Sequence, residues 1–152
     1  MSKAWIIKFR KDGGFTYAAK FTPDPDGGYV VTFRDVPEAI TQGETVEECY
    51  EQAAGALQAA VETYIAERMP IPAPSATKRG EHLIALPIRT ALKASVYIGM
   101  EEKQMSNVAL AKMLHVNEKE VRRMLDPRHP TKAETLERAA AALGKRVEIR
   151  LH

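Results

Sequence analysis

Residues 106–125 constrain the fold more than any other stretch, because they read as two short helices separated by a tight turn. Asn117 stands where a helix N-cap is expected, and Glu120 follows at the capping-box spacing. Ala111 is small enough to let the two helices approach closely. The apolar seam between them comprises Leu110, Leu114, Val116, Val121 and Leu125. This is the pattern of a DNA-binding helix-turn-helix, whose second helix enters the major groove.

The charge of the chain divides unevenly along its length. Its 152 residues suffice for one domain or two small ones. Residues 1–75 carry seven Lys/Arg and eleven Asp/Glu, a net of −4, whereas residues 76–152 carry fifteen and nine, a net of +6. This asymmetry indicates two partners of opposite charge. The alternative is ordinary charge patterning for solubility.

Cysteine and hydropathy patterns predict a soluble, cytoplasmic protein. Cys49 is the single cysteine, so no internal disulfide can form, and we interpret it as a core residue. The short apolar run AWII is followed at once by KFRKDGG, so we expect no signal peptide, and no run is long enough to span a membrane. The four histidines lack metal-ligand spacing, and we expect neither a metal nor another cofactor.

The first half of the chain predicts an antiparallel sheet and one long helix. Residues 1–14 can form a strand around Trp5 or a loose extension, and the sequence does not choose. Strands are predicted over 15–21, 29–33, 39–41 and 82–86, with PDPDGG as the first hairpin turn. Thr45 and Glu48 form a capping box before a helix with one apolar face, and the prolines of 69–75 end it.

The second half predicts helices and a final strand. Pro87 can start a helix, Ser106 caps the next, and Thr131 with Glu134 forms another capping box before a helix that Gly144 ends. Residues 146–151 alternate apolar and charged side chains and are predicted as a strand with an exposed edge. Pairing of this edge with a second copy would suit two DNA half-sites. The predicted dimer contacts are Val147, Ile149 and Leu151.

The stretch GGYVVTFRDVPEAITQGETVEECYEQAAGAL resembles the N-terminal domain of the HicB antitoxins. Residues 86–151 resemble the branch of that family with a helix-turn-helix of the Cro/repressor type. The resemblance implies a partial ribonuclease-H-like fold for the first domain (15–86). Together with the predicted elements this gives an α+β protein whose second domain (87–152) holds the helix-turn-helix and the dimerisation strand, while the N-terminal extension (1–14) lies outside the resemblance. The resemblance also implies that the protein binds a HicA-type ribonuclease toxin and represses its own operon. From the final strand we predict a homodimer, or alternatively a tetramer, at palindromic operator DNA.

Toxin binding is predicted for the acidic first domain, since residues 15–75 carry a net charge of −7 and HicA toxins resemble small basic RNA-binding domains. The candidate contacts are Asp24, Asp26, Tyr29, Asp35 and Glu38. Solvated loop charges are the alternative for each carboxylate. Nuclease activity, which clustered carboxylates and metals would support, is not expected, because these residues lack strand-centre spacing. We therefore expect no enzyme.

DNA contact is predicted for the second helix of the motif and its flanks. Arginine can grip guanine through two hydrogen bonds, and asparagine can grip adenine. The candidates are Asn117, Glu118, Lys119, Arg122 and Arg123, with Lys112, Arg128 and Lys132 as phosphate contacts. His115 occupies the turn position where this motif usually has glycine. A different hypothesis remains open, namely a plain transcriptional regulator whose first domain senses a ligand or only mediates oligomerisation.

Overall fold

The structure, a computed structural model, describes residues 14–151. These residues divide into two compact units, the first ending at Pro87 and the second beginning at Ile88. The alternatives offered for the N-terminal extension, Trp5 included, fall on residues 1–13 and so lie outside the described residues.

An antiparallel sheet forms the framework of the first unit. Within the described residues it has four strands in the order β3-β2-β1-β4. The register pairs Ala19 with Phe33 and Tyr17 with Ile84. The strands are β1 (Thr16–Pro23), β2 (Tyr29–Phe33), β3 (Ile40–Gly43) and β4 (His82–Ala85). The four strands predicted for this unit are confirmed, although the first and the third each begin one residue later and end two residues later than expected.

The β1–β2 hairpin turns through a segment rich in Asp and Gly. The backbone amide of Asp26 donates to Asp24 Oδ1 at 2.8 Å, which fixes the turn locally. Gly28 has a φ of +70°, and a Cβ at this position would lie 2.7 Å from the carbonyl oxygen of Gly43. Glycine therefore allows the turn to pack against the end of β3.

One helix, α1 (Val46–Ala66), packs on this sheet. The hydroxyl of Thr45 accepts from the amide of Glu48 at 3.1 Å, while the Glu48 carboxylate accepts from the amide of Glu44 at 2.9 Å. The predicted cap is thus confirmed, with its return bond one residue earlier than in a standard capping box. The buried face carries Cys49, Ala53, Leu57, Ala60, Val61, Tyr64 and Ile65.

The second unit consists of helices around one apolar core. They are α2 (Ile88–Glu102), α3 (Asn107–Leu114), α4 (Glu118–Leu125) and α5 (Ala133–Ala142). Leu92, Val121 and Leu136 lie in that core. At Gly99, a Cβ would lie 2.9 Å from the Cβ of Leu143, so the missing side chain lets the segment after α5 approach α2. The α+β class is confirmed.

Two predictions in this unit need correction. The N-cap of α5 is Lys132 and not Thr131, because the buried Thr131 hydroxyl instead donates to the carbonyl of Arg123 at 3.2 Å. Residues 145–151 form no strand in the single chain, since a strand requires a hydrogen-bonded neighbour. Gly144 does end the last helix, with a φ of +79°.

Candidate functional sites

One end of the first unit collects acidic side chains. The hairpin turn with Asp24 and Asp26 packs beside the β3–α1 connection, where a Cβ at Gly28 would lie 3.3 Å from Glu44 Cα. Tyr29 pairs with Gly43 at this end. The first turn of α1 adds further carboxylates, from Glu47 and Glu48. We call this the hairpin end, comprising Asp24, Asp26, Tyr29, Glu44, Glu47 and Glu48.

Asp35 and Glu38, the other two predicted toxin contacts, follow the opposite end of β2. Asp35 accepts from the backbone amide of Ser75 at 2.8 Å and from its hydroxyl at 2.9 Å. Glu38 accepts from the buried hydroxyl of Tyr64. Burial, together with this hydrogen bond, raises the pKa of Tyr64. Both carboxylates therefore already have partners within the unit.

The proline-rich segment after α1 is held by the residue that follows β2. Arg34 forms a bidentate ion pair with Glu81: Nη2 donates to Oε1 at 2.8 Å, and Nε donates to Oε2 at 3.2 Å. It also donates to the carbonyl of Ala76 at 2.9 Å. The hydrogen bond from Arg34 lowers the pKa of Glu81. On the other side of the segment, the buried hydroxyl of Tyr17 donates to the carbonyl of Pro72 at 2.7 Å.

An aromatic cluster lies between β1, β4 and α1. The ring of His82 stacks on Phe21 with centroids 4.0 Å apart, and Tyr50 meets both rings edge-on. The Tyr50 hydroxyl lies 2.8 Å from His82 Nδ1. These contacts give His82 a packing role.

In the second unit, two eight-residue helices are joined by three residues. The hydroxyl of Ser106 accepts from the amide of Ala109 at 3.1 Å and caps α3, and Asn117 Oδ1 accepts from the amide of Glu120 at 3.1 Å and caps α4. The linking residue His115 adopts the left-handed conformation, with φ 56° and ψ 42°. Both predicted caps and the unusual backbone at His115 are therefore present.

Helix α4 is amphipathic. Val121 and Met124 are buried in the core, while Asn117, Lys119 and Arg122 are exposed. Arg122 pairs with Glu118 at 3.2 Å, and its side chain keeps 63% of its surface exposed. Arg123 pairs with Glu120 at 2.7 Å and is less exposed. The flanking candidates Lys112, Arg128 and Lys132 are all exposed.

The carboxyl end of α4 meets a buried lysine from α2. Lys93 is 3% exposed, and its ammonium group donates to the carbonyl oxygens of His129 at 2.8 Å, Arg123 at 3.3 Å and Asp126. Sequence reasoning missed this residue. The available signal was its position among the apolar residues of α2, one residue after Leu92.

Comparisons with known proteins bear on both units. A family model described as a HicB-like antitoxin of bacterial toxin–antitoxin systems matches residues 16–95, more than half of the chain. This chain belongs to the HicB-like antitoxin family. Antitoxin HicB of Escherichia coli K12 is 36% identical over 133 residues, which cover 88% of this chain and 96% of that protein. Antitoxin HicB 1 of Photorhabdus laumondii is 34% identical over 148 residues, covering 97% of this chain and 91% of its own.

For this HicB-family chain, the candidate residues thus fall into separate groups. The hairpin end brings together Asp24, Asp26 and Tyr29, but Asp35 and Glu38 lie elsewhere in the unit. Of the candidates on α4, Lys119 and Arg122 are exposed, whereas Glu118 and Arg123 are half-buried. The dimer candidates Ile149 and Leu151 are exposed, by 72% and 94%. Among residues 14–151, no helix has the length and apolar character needed to cross a membrane.

Proposed function

We propose that this chain is an antitoxin that neutralises a HicA-type, mRNA-cleaving toxin through its first unit and represses its own operon through α3 and α4. The observation that carries the proposal is its similarity, over about nine-tenths of the chain, to proteins named antitoxin HicB. On this proposal the chain acts by binding and is not an enzyme.

The toxin arm is proposed for the hairpin end of the first unit. Its carboxylates come from two adjacent connections, the β1–β2 turn and the β3–α1 junction. An acidic surface complements a toxin whose own surface binds RNA, and such complementarity speeds association and excludes wrong partners. Asp35 and Glu38 stay candidates, but a toxin would have to compete there with Ser75 and Tyr64.

The ribonuclease-H-like character of the first unit is also a proposal, supported by its antiparallel sheet with one packed helix. Catalysis by such a fold needs several carboxylates that converge on metal ions. Here Asp24 braces a turn, Asp35 and Glu38 hold other segments, and Glu48 caps a helix. Among residues 14–151, no group of three His, Cys, Asp or Glu side chains could hold a metal.

The DNA arm is proposed for α3 and α4, acting as a helix-turn-helix. Two short capped helices joined by three residues fit that motif. Lys119 and Arg122 are exposed on α4, and exposed Asn117 is its N-cap. In such motifs the amino-terminal part of the second helix contacts base edges. Exposed Lys112, Arg128 and Lys132 are proposed to bind phosphates, which position the protein without reading sequence.

Dimerisation is proposed through residues 146–151. In the single chain this segment leaves Ile149 and Leu151 exposed, whereas Val147 packs partly against the core of the second unit. Pairing with the same segment of a second copy would satisfy its backbone groups and cover these apolar side chains. Two copies would then present two α4 helices to a palindromic operator. A tetramer is the alternative assembly.

Co-expression tests the toxin arm. The full chain should restore growth to cells that express the small basic protein encoded beside its gene, and the two proteins should co-purify. DNA binding is tested separately, by titrating the DNA duplex that precedes the gene with the purified protein. Binding of that duplex without growth rescue or co-purification would contradict the antitoxin assignment and favour a plain transcriptional regulator.

A further inference from the structure

Lys93 joins α2 to the carboxyl end of α4. The last carbonyl groups of a helix lack partners within that helix and carry partial negative charge, so a cation there is stabilising. Here Arg123 provides one of these carbonyls, and its oxygen receives both the Lys93 ammonium and the Thr131 hydroxyl. A buried charge with these carbonyl partners fixes where α4 ends relative to α2.

The same ammonium group holds the segment that follows α4. It donates to the carbonyls of Asp126 and His129, which flank Arg128. The amide of Arg128 in turn donates to Asp126 Oδ1 at 2.9 Å. One buried side chain therefore fixes both the helix with the proposed base contacts and the loop with a proposed phosphate contact.

We propose that Lys93 is a positioning residue for sequence-specific DNA binding: it touches no DNA, but it sets the pose of α4 and of the loop at 126–129. This inference rests on the proposed DNA-binding function. Base recognition depends on paired hydrogen bonds of fixed geometry, whereas non-specific binding depends mainly on charge near phosphates. Loss of the Lys93 bonds should therefore reduce discrimination between DNA sequences more than overall DNA attraction.

The test compares the full-length wild type with Lys93→Met, which keeps the apolar stem and removes the ammonium. Binding is measured to the duplex that precedes the gene and to a shuffled duplex of equal length. We expect affinity for the upstream duplex to fall by about tenfold or more, and affinity for the shuffled duplex to change by less than about threefold. Amide hydrogen exchange should accelerate over residues 122–129.

Leu143→Ala is the matched control for lost stability. It removes packing beside Gly99 but leaves the Lys93 hydrogen bonds untouched. At a temperature where all variants are folded, this control should keep the wild-type preference for the upstream duplex. Should Lys93→Met fail to fold, Lys93→Gln, which keeps two donors on a shorter stem, replaces it with the same expected loss of preference.

Chemical rescue separates positioning from a general packing defect. In a Cys49→Ala background, Lys93→Cys is alkylated with bromoethylamine in denaturant and refolded, which restores an ammonium at nearly the same length. Recovery of the preference supports the proposal. Preference retained by folded Lys93→Met, equal loss in Leu143→Ala, or no recovery in the refolded alkylated protein would overturn it. If wild type shows no preference, the proposed DNA-binding function fails together with this inference.

Discussion

The carboxylate of Asp35 accepts hydrogen bonds from both the backbone amide and the hydroxyl of Ser75, 40 residues further along the chain. This pair, together with the Arg34–Glu81 ion pair, fastens the proline-rich segment to the end of β2. A side chain that sequence reasoning offered for partner contact therefore has a partner inside its own unit. Substitutions can distinguish the roles of the carboxylates at the two ends of β2.

Asp35→Asn should lower the free energy of unfolding by about 1–2 kcal/mol, because it weakens charge-assisted hydrogen bonds to Ser75. Toxin affinity should change little. Paired Asp24→Asn and Asp26→Asn substitutions should leave the free energy of unfolding nearly unchanged, because an amide oxygen at position 24 can still accept from the backbone amide at position 26. They should weaken toxin binding, because two negative charges are lost. Urea denaturation and calorimetric titration with the toxin measure the two effects. Loss of toxin affinity in Asp35→Asn at unchanged stability would place the contact at the other end of β2.

His115 occupies a backbone conformation that costs a non-glycine residue about 1–2 kcal/mol. Glycine pays no such steric cost but has more freedom to lose on folding. We expect His115→Gly to stabilise the chain by about 0.5–1 kcal/mol and His115→Val to destabilise it. The measurement is the urea concentration at the midpoint of unfolding, compared between variants whose free energy of unfolding has the same dependence on urea concentration. Equal midpoints for the Gly and Val variants would show that the left-handed turn is not formed in solution.

Buried tyrosines predict a loss of stability in alkali. Burial raises the pKa of Tyr17 above its ordinary value of 10.0, and the pKa of Tyr64 is raised as well. The folded state therefore holds these phenol protons more tightly than the unfolded chain does. Their contribution is fully present below the unfolded pKa and is lost as pH rises above it. Thermal melts should show a falling midpoint above about pH 10.

Tyr17→Phe provides the control for this pH dependence. The variant loses the hydrogen bond to the carbonyl of Pro72, so it should be less stable at neutral pH. Its stability should nevertheless fall less steeply in alkali, because one titrating group is gone. Parallel curves for wild type and Tyr17→Phe would contradict the assignment of alkaline sensitivity to Tyr17.

Local patterns predicted most elements because they depend on near neighbours. The caps at Thr45, Ser106 and Asn117 rely on bonds three residues away, and each is present. Thr131 shows the limit: its hydroxyl serves a carbonyl eight residues back, which no local spacing reveals. The same holds for Lys93, which donates to the carbonyls of Arg123, Asp126 and His129, 30 to 36 residues away.

The candidate sites were less predictable than the helices and strands. Asp24 and Asp35 look alike in sequence, and only the fold shows that Asp35 is engaged by Ser75 whereas Asp24 braces a turn. The strand predicted over 146–151 is absent from the single chain, and its pairing with a second copy stays a prediction. Local composition therefore anticipated the framework, while the roles of individual polar residues depended on long-range contacts.

Ile149→Asp tests the proposed dimer segment. The side chain is 72% exposed in the single chain, so the substitution should not disturb the fold of either unit. A charge at this position would oppose burial against a second copy. We expect light scattering to report monomers and affinity for upstream DNA to fall by about tenfold or more, because paired half-sites require two linked α4 helices. Arg150→Ala is the neighbouring control, and an Ile149→Asp protein that stays dimeric would contradict the segment's proposed role.

The proposed division of toxin binding and DNA binding between the two units is tested most directly by Arg122→Ala combined with Arg123→Ala. Their ion pairs with Glu118 and Glu120 are partly exposed and contribute little to folding. Affinity for the upstream duplex should fall by about 100-fold or more. Arg89→Ala with Arg138→Ala removes two exposed charges elsewhere in the second unit and should have a much smaller effect.

The decisive measurement follows two readouts in the same toxin-expressing cells: a reporter driven by the chain's own promoter, and growth. With the Arg122→Ala, Arg123→Ala chain, we predict that the reporter is released from repression while growth remains protected. Continued repression by a folded variant would contradict the assignment of α4 to DNA binding. Loss of growth protection together with repression would contradict the division of toxin and DNA binding between the two units.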